Sequence, residues 1–198
     1  MYSLPTSVQT KDGRTYHITN NGDYRVVLDC FTACNDMELE SEDEQVLASL
    51  LIFYNEFTDF DDVVQIDEET LSELVKFMFD FFNCGQPEER LGATRHKKLI
   101  DWQDDEMLIV SAINNVAHTE IRSLEYLHWW TFMGYYLAIG ESVLSTVVSI
   151  RDKISRGKKL EDYEKEFQRN NPEYFVWNSK TREDKEAEAF VKSVWNTR

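Results

Sequence analysis

Apolar positions recur along this chain mostly at intervals of three and four, with one exception at the start. Ser7-Val8-Gln9-Thr10 and Thr15-Tyr16-His17-Ile18 alternate polar and apolar residues around the turn dipeptide Asp12-Gly13, which predicts a β-hairpin over about 7–18. Asn20-Asn21-Gly22-Asp23 breaks that pattern. Asp23 can then cap a helix from about Tyr24 to Asn35, with Val27, Cys30, Phe31 and Cys34 on one stripe. Ser41 and Glu44 have the spacing of a capping box, and Leu47, Leu50, Leu51, Tyr54 and Phe57 follow at helical intervals. Asp67 caps the next helix, in which Leu71, Leu74, Val75, Met78, Phe79 and Phe82 form the clearest amphipathic stripe in the chain. Phe77 and Phe81 lie on an adjoining face, and Asn83-Cys84-Gly85-Gln86-Pro87 ends the helix.

Residues 86–100 read as a loop carrying Arg90, Arg95, His96, Lys97 and Lys98. Asp101 is placed to cap a helix reaching about Ala117, with Leu108, Ile109, Ala112, Ile113 and Val116 inward. Leu124 to about Ser155 reads as a long apolar helical region with candidate breaks at Gly134 and Gly140. A charged helix follows from Leu160 to about Arg169, and Pro172 interrupts it. A last helix is expected from Thr181 to Trp195, polar except for Phe190, Val191, Val194 and Trp195. The fold class expected is mainly α: a helical, bundle-like single domain over 1–170 with an N-terminal hairpin, then a tail over 171–198 with a short helix. Few turn-formers, seven Gly and three Pro, fit long helices better than a many-stranded sheet.

Charge adds an asymmetry. The chain of 198 residues carries 37 acids and 21 Lys+Arg, a net charge of −16. Residues 36–91 alone hold 17 acids and two bases, whereas 151–198 hold ten acids and twelve bases. An acidic surface of this kind repels phosphate backbones and anionic lipid, so neither nucleic acid nor a membrane is an expected partner. The stretch from Trp129 to Val148 has a single charge, Glu141, and carries Gly134, Gly140, Ser142, Ser145 and Thr146, which suit a buried helix better than a membrane span. If Glu141 is buried it needs a cationic partner, with Arg122 and Arg151 as the candidates. Three cysteines at no framework spacing, and no basic-then-apolar start over Met1–Thr10, point to an intracellular, reducing setting.

No reactive constellation stands out. Cys30 and Cys34 lack the second ligand pair that zinc would need, and His17, His96, His118 and His128 fall in four different segments. No nucleophile elbow or glycine-rich phosphate loop occurs. The acids at Asp59, Asp61, Asp62, Asp67, Glu68 and Glu69 lack the spacing of a calcium loop and suit helix N-termini instead. No catalytic residue, cofactor or metal is therefore expected. The aromatic content, 13% of residues, exceeds what one small core easily hides, so part of it is expected to form an exposed patch for a partner.

Asp23-Tyr24-Arg25, Asp101-Trp102, Ile121-Arg122, Leu127-His128-Trp129-Trp130-x-Phe132 and Ser149-Ile150-Arg151 resemble the bacteriophage gene-product-fifteen family of siphophages and prophages of Gram-positive bacteria, over about residues 14–170. By gene order, between the major tail protein and the tape-measure protein, members of that family are similar to tail-assembly chaperones. The resemblance implies a non-enzymatic assembly factor in the host cytoplasm that binds the tape-measure protein, with the major tail (tube) protein as a further candidate partner. Trp129, Trp130, Phe132, Tyr136, Phe77 and Phe81 form the pool from which core and docking residues would be drawn. Two other readings stand beside it: an acidic decoy that mimics nucleic acid and blocks a host enzyme, and a tail completion or connector component of the virion. The sequence does not set the oligomeric state.

Overall fold

Short polar side chains decide where most of the helices begin. The computed structural model describes residues 3–36, 39, 41–86 and 98–177. Asp23 accepts from Arg25 N at the start of α1 (Tyr24–Cys34), and Ser41 accepts from Glu44 N at the start of α2 (Glu42–Phe53). Asp59 and Asp62 cap each other's backbone at α3 (Phe60–Val64), a helix the sequence pattern did not predict. Asp67 accepts from Thr70 N at α4 (Glu68–Phe82). Each such cap satisfies one of the backbone N–H groups left unpaired at a helix start, worth about 1 kcal/mol.

The long helix expected from Leu124 to Ser155 is instead two. Residues 124–128 are not helical, then α6 (Trp129–Leu137) and α7 (Val143–Ser155) follow, separated at 138–142. Ser142 accounts for the break, because its hydroxyl accepts from Ser145 N while Ser145 Oγ accepts from Ser142 N. Glu141 therefore sits in an exposed connection, not in a buried helix, and the expected pairing with Arg122 or Arg151 does not form. Arg122 pairs with Glu120, and Arg151 with Asp105. Between these elements lie α5 (Glu106–Ala117) and, toward the C-terminus, α8 (Asp162–Asn170) and a 3₁₀ turn over Pro172–Phe175. The helix expected over Thr181–Trp195 and the cations Arg90, Arg95, His96 and Lys97 lie outside the described residues.

The chain divides into two compact units: residues 1–95 with 113–138, and residues 96–112 with 139–198. In the first unit, β1 (Ser7–Gln9) and β2 (Thr15–His17) pair antiparallel with Val8 opposite Tyr16, so the hairpin falls where the alternation placed it. Thr19–Gly22 then turns the chain through left-handed conformations at Asn20, Asn21 and Gly22. Gly22 is required there: its φ is +79°, and an added Cβ would come within 2.7 Å of Phe81 Cζ.

Helices α1, α2, α4 and α6 close this unit around rings. Phe53 meets Tyr54, Phe81 and Phe82 edge-on, and Phe31 meets Phe82 and Trp129 the same way. Trp129 stacks on Phe132, and Phe132 stacks on Tyr24 at 4.7 Å. α2 ends at Phe53, so Tyr54 and Phe57 enter the core from the segment after the helix rather than on it. Tyr54 OH donates to Leu74 O at 2.8 Å. The inward face of α4 is centred on Thr70, Leu74, Met78 and Phe81, with Phe82 beside it. Phe79, expected inward, is 39% exposed, while Phe81, expected on the flank, is sealed. The rotation follows from the partners: Phe81 is the ring that meets Phe53, Gly22 and His128.

The second unit relies on ion pairs. Arg151 of α7 is buried and uses all its donors: Asp105 accepts two at 2.7 and 2.9 Å, Leu99 O accepts one, and Tyr174 O accepts from Nε and Nη2. Trp177 covers the guanidinium at 4.1 Å. Asp105 also accepts from Asp101 N, and Asp101 caps the turn ahead of α5 by accepting from Gln103 N and Asp104 N. Lys153 of α7 donates to the buried Glu164 of α8 at 2.7 Å.

Candidate interaction surface

The segment Leu127-His128-Trp129-Trp130 is fixed from three sides. Asp23 Oδ2 accepts from Leu127 N at 2.8 Å, Leu127 O accepts from Tyr24 N, and Arg25 donates to Leu124 O at 2.7 Å. His128 Nδ1 accepts from Trp130 N and so caps α6. That leaves the proton on Nε2, which donates to Pro5 O at 3.0 Å. Burial holds the ring neutral by pushing its pKa below the usual histidine value, against smaller opposing effects from Pro5 O and Asp23. His128 thus serves as a structural cap, with both nitrogens engaged.

The two tryptophans that follow have different exposures. Their indoles finish the C-terminal end of α4: Trp129 Nε1 donates to Phe82 O and Trp130 Nε1 to Phe81 O, both at 3.0 Å. These are carbonyls that a helix end leaves without intrahelical partners. Trp129 is nonetheless only 1% exposed, whereas Trp130 is half-buried. Of the six residues singled out in the sequence, Trp129, Phe132 and Phe81 are sealed in the core. Trp130, Tyr136 and Phe77 keep part of their surface in solvent. Trp130 and Phe77 are linked through Phe81, with ring separations of 6.0 and 6.4 Å.

Sequence reasoning missed the rest of the outward face. Trp130, Met133, Gly134 and Leu137 recur at i, i+3, i+4 and i+7 along α6, and so share one side of the helix. Met133 is half-buried, Gly134 is exposed, and Leu137 is 78% exposed. The nine residues of α6 include no charged side chain. An added Cβ at Gly134 would meet no described atom within 4 Å, so the backbone there is open to close approach. The i, i+3, i+4, i+7 spacing carries that signal, although Gly134 taken alone also marks a candidate helix break.

Elsewhere the described residues do not assemble a reaction centre. Burial raises the pKa of the Cys30 thiol, and that of Cys84 to about 11, which keeps both protonated and weakly nucleophilic at neutral pH. Among the described residues there is no group of three or more His, Cys, Asp or Glu that could hold a metal ion. An open groove of about 550 Å³ is lined by residues including Arg14, Tyr16, Phe57 and Ile66. Its carboxylates are already committed, Glu56 to the backbone and ring of His17 and Asp62 to Thr58 and the α3 cap. No helix among the described residues is long and apolar enough to cross a membrane.

The described residues thus give a mainly helical chain with an uncharged, partly exposed face on α6. Residues 2–175 match the family described as Bacteriophage Gp15 protein, and the chain belongs to that family. Membership makes it a phage structural or assembly protein, of a family not known for catalysis. The match extends beyond the 14–170 stretch of the resemblance at both ends. No curated protein and no solved structure matches the chain.

Proposed function

We propose that this protein is a non-enzymatic tail-assembly factor that binds the phage tape-measure protein in the host cytoplasm, with the major tail protein as a second candidate partner. The observation that carries the reading is the α6 face, with Leu137 78% exposed on a helix that has no charge of its own. A tape-measure protein is long, helical and apolar, and needs its greasy faces covered until tube subunits enclose it. A helix-in-groove contact through Trp130 and Leu137 would provide that cover. The net charge of −16 would keep the complex apart from its neighbours. None of this requires turnover. Co-expression with the tape-measure protein of the same phage tests it. The expected result is a soluble tape-measure protein that co-purifies with this chain; unchanged solubility and no complex would overturn it.

The 17 acids over residues 36–91 favour one rival, an acidic decoy for a basic host protein. Such a complex would weaken steeply with salt. A deletion phage that still builds normal tails would select the decoy over the assembly factor.

A further inference from the structure

We propose that the face of α6 carrying Trp130, Met133, Gly134 and Leu137 seats a single amphipathic helix with lysine or arginine flanks. The proposal takes only the origin of that helix, a phage assembly partner, from the reading above. Three observations support it. The four residues share one side of the helix, and their exposure rises along it from the half-buried Trp130 to the 78% exposed Leu137. Gly134 leaves a gap in the middle of that side, where a second helix can come close, as interhelical distances of about 8–10 Å require. Trp130 is held in place by its bond to Phe81 O, so the anchor ring needs little ordering when a partner arrives.

Charge selects the occupant. The unit that contains α6 has 22 acids and seven bases, a net of −15. A second copy of the chain would bring two such units together across a two-fold contact, and like charges facing each other at an interface oppose association. An acidic helix meets the same objection. A helix with cationic edges gains on both counts: its apolar side covers Leu137 and Met133, while its edges meet a negative field.

The test uses the full chain and a defined probe. The probe is a synthetic amphipathic peptide of leucine, alanine and lysine, with a twin in which glutamate replaces lysine. Calorimetry at low and physiological salt should show the lysine peptide binding at least about tenfold more tightly than its twin. Two variants whose folding is checked by circular dichroism, Gly134→Leu and Leu137→Glu, should each weaken that binding at least about tenfold. Gly134→Leu changes no charge, and Leu137→Glu adds a negative charge that would strengthen mere electrostatic adhesion, so a fall in both requires the seat itself. Equal affinity for the twin peptides, or undiminished binding by either variant, would overturn the proposal. So would a dimer that sediments as such and is dissolved by Leu137→Glu, since the occupant would then be a second copy. Failure of the tape-measure co-expression while both variants still weaken the peptide would leave the seat standing and remove only the assembly reading.

Discussion

The two units of this chain are stabilised by different means. The unit of residues 1–95 and 113–138 holds 18 of the aromatic residues and a net charge of −15, while the unit of residues 96–112 and 139–198 holds eight and a net charge of −1. In the first, rings fill the interior and acids are pushed to the surface and to helix N-termini. In the second, a buried guanidinium organises the backbone around it, taking carbonyls from Leu99 and Tyr174 and both oxygens of Asp105. Ring packing is built from many similar contacts and degrades gradually. A buried ion pair is costly to bury and costlier to leave half-made. The first unit can therefore leave a few apolar residues at its surface without losing its core, and that is where the α6 face lies.

The contrast is broken most directly at Arg151. Replacing it in Arg151→Met leaves Asp105 buried without its partner and two backbone carbonyls without donors. The expected cost is about 3–5 kcal/mol, read by chemical denaturation, with hydrogen exchange showing the loss of protection in α7 and α8. A loss below about 1 kcal/mol would mean that the pair is not what holds this unit together.

The matching change in the ring-packed unit is smaller. Trp129→Phe removes the bond to Phe82 O and part of the volume stacked on Phe132, but leaves an aromatic residue in place. A cost of about 1–3 kcal/mol is expected. If it equals or exceeds the Arg151→Met cost, the distinction between gradual and all-or-none loss fails.

What could be read in the sequence followed the same divide. Asp23, Ser41 and Asp67 marked three helix starts, because capping is a local matter of one side chain and one N–H. The hairpin register followed from alternation and Asp12-Gly13. What failed was non-local. Nothing in the sequence says that Arg151 will choose Asp105 over Glu141, since that depends on where the chain returns. The exposure of Phe79 and burial of Phe81 depended on Gly22 and Phe53, distant in sequence. Within the aromatic pool, adjacent Trp129 and Trp130 lie about 100° apart around a helix, so only packing could say which of them meets solvent. The residues quoted for the family resemblance turned out to be largely architectural: Asp23, Tyr24, Arg25, His128, Trp129, Phe132 and Arg151 all bond or stack within the structure.

Salt sharpens the comparison at a smaller scale. Raising ionic strength from about 0.01 to 0.15 M shortens the screening length from about 30 to 8 Å. The unit at −15 should gain stability on the order of 1 kcal/mol as its self-repulsion is screened, while the near-neutral unit, whose main pair is buried, should hardly change. Segment-resolved hydrogen exchange at the two salt concentrations measures both at once. Equal responses would show that the uneven charge does not govern local stability.

The smallest effect expected comes from protons. His128 is held neutral by burial, with its pKa below the ordinary value of 6.5 and Asp23 as the charged group acting on it. An unfolded chain takes up this proton near pH 6.5 and the folded chain does not, so the unfolded state binds more protons below that point. The contribution of His128 is therefore complete above about pH 6.5 and declines as the pH falls, until the folded ring also titrates. Protonation at Nδ1 would remove the acceptor that caps α6 and place a positive charge at a helix N-terminus. The carboxylates whose pKa values are lowered, among them Asp62, Asp67, Glu73 and Glu120, weaken the fold only at more acidic pH, below their ordinary values of 3.8 to 4.5. Between about pH 6.5 and 4.5 the slope of stability against pH should accordingly be carried in good part by this one ring in the aromatic unit. His128→Asn keeps an oxygen able to accept from Trp130 N and does not titrate, so it should flatten the slope in that window while leaving α6 helical by circular dichroism. An unchanged slope in His128→Asn would place the titration elsewhere and remove His128 from the account.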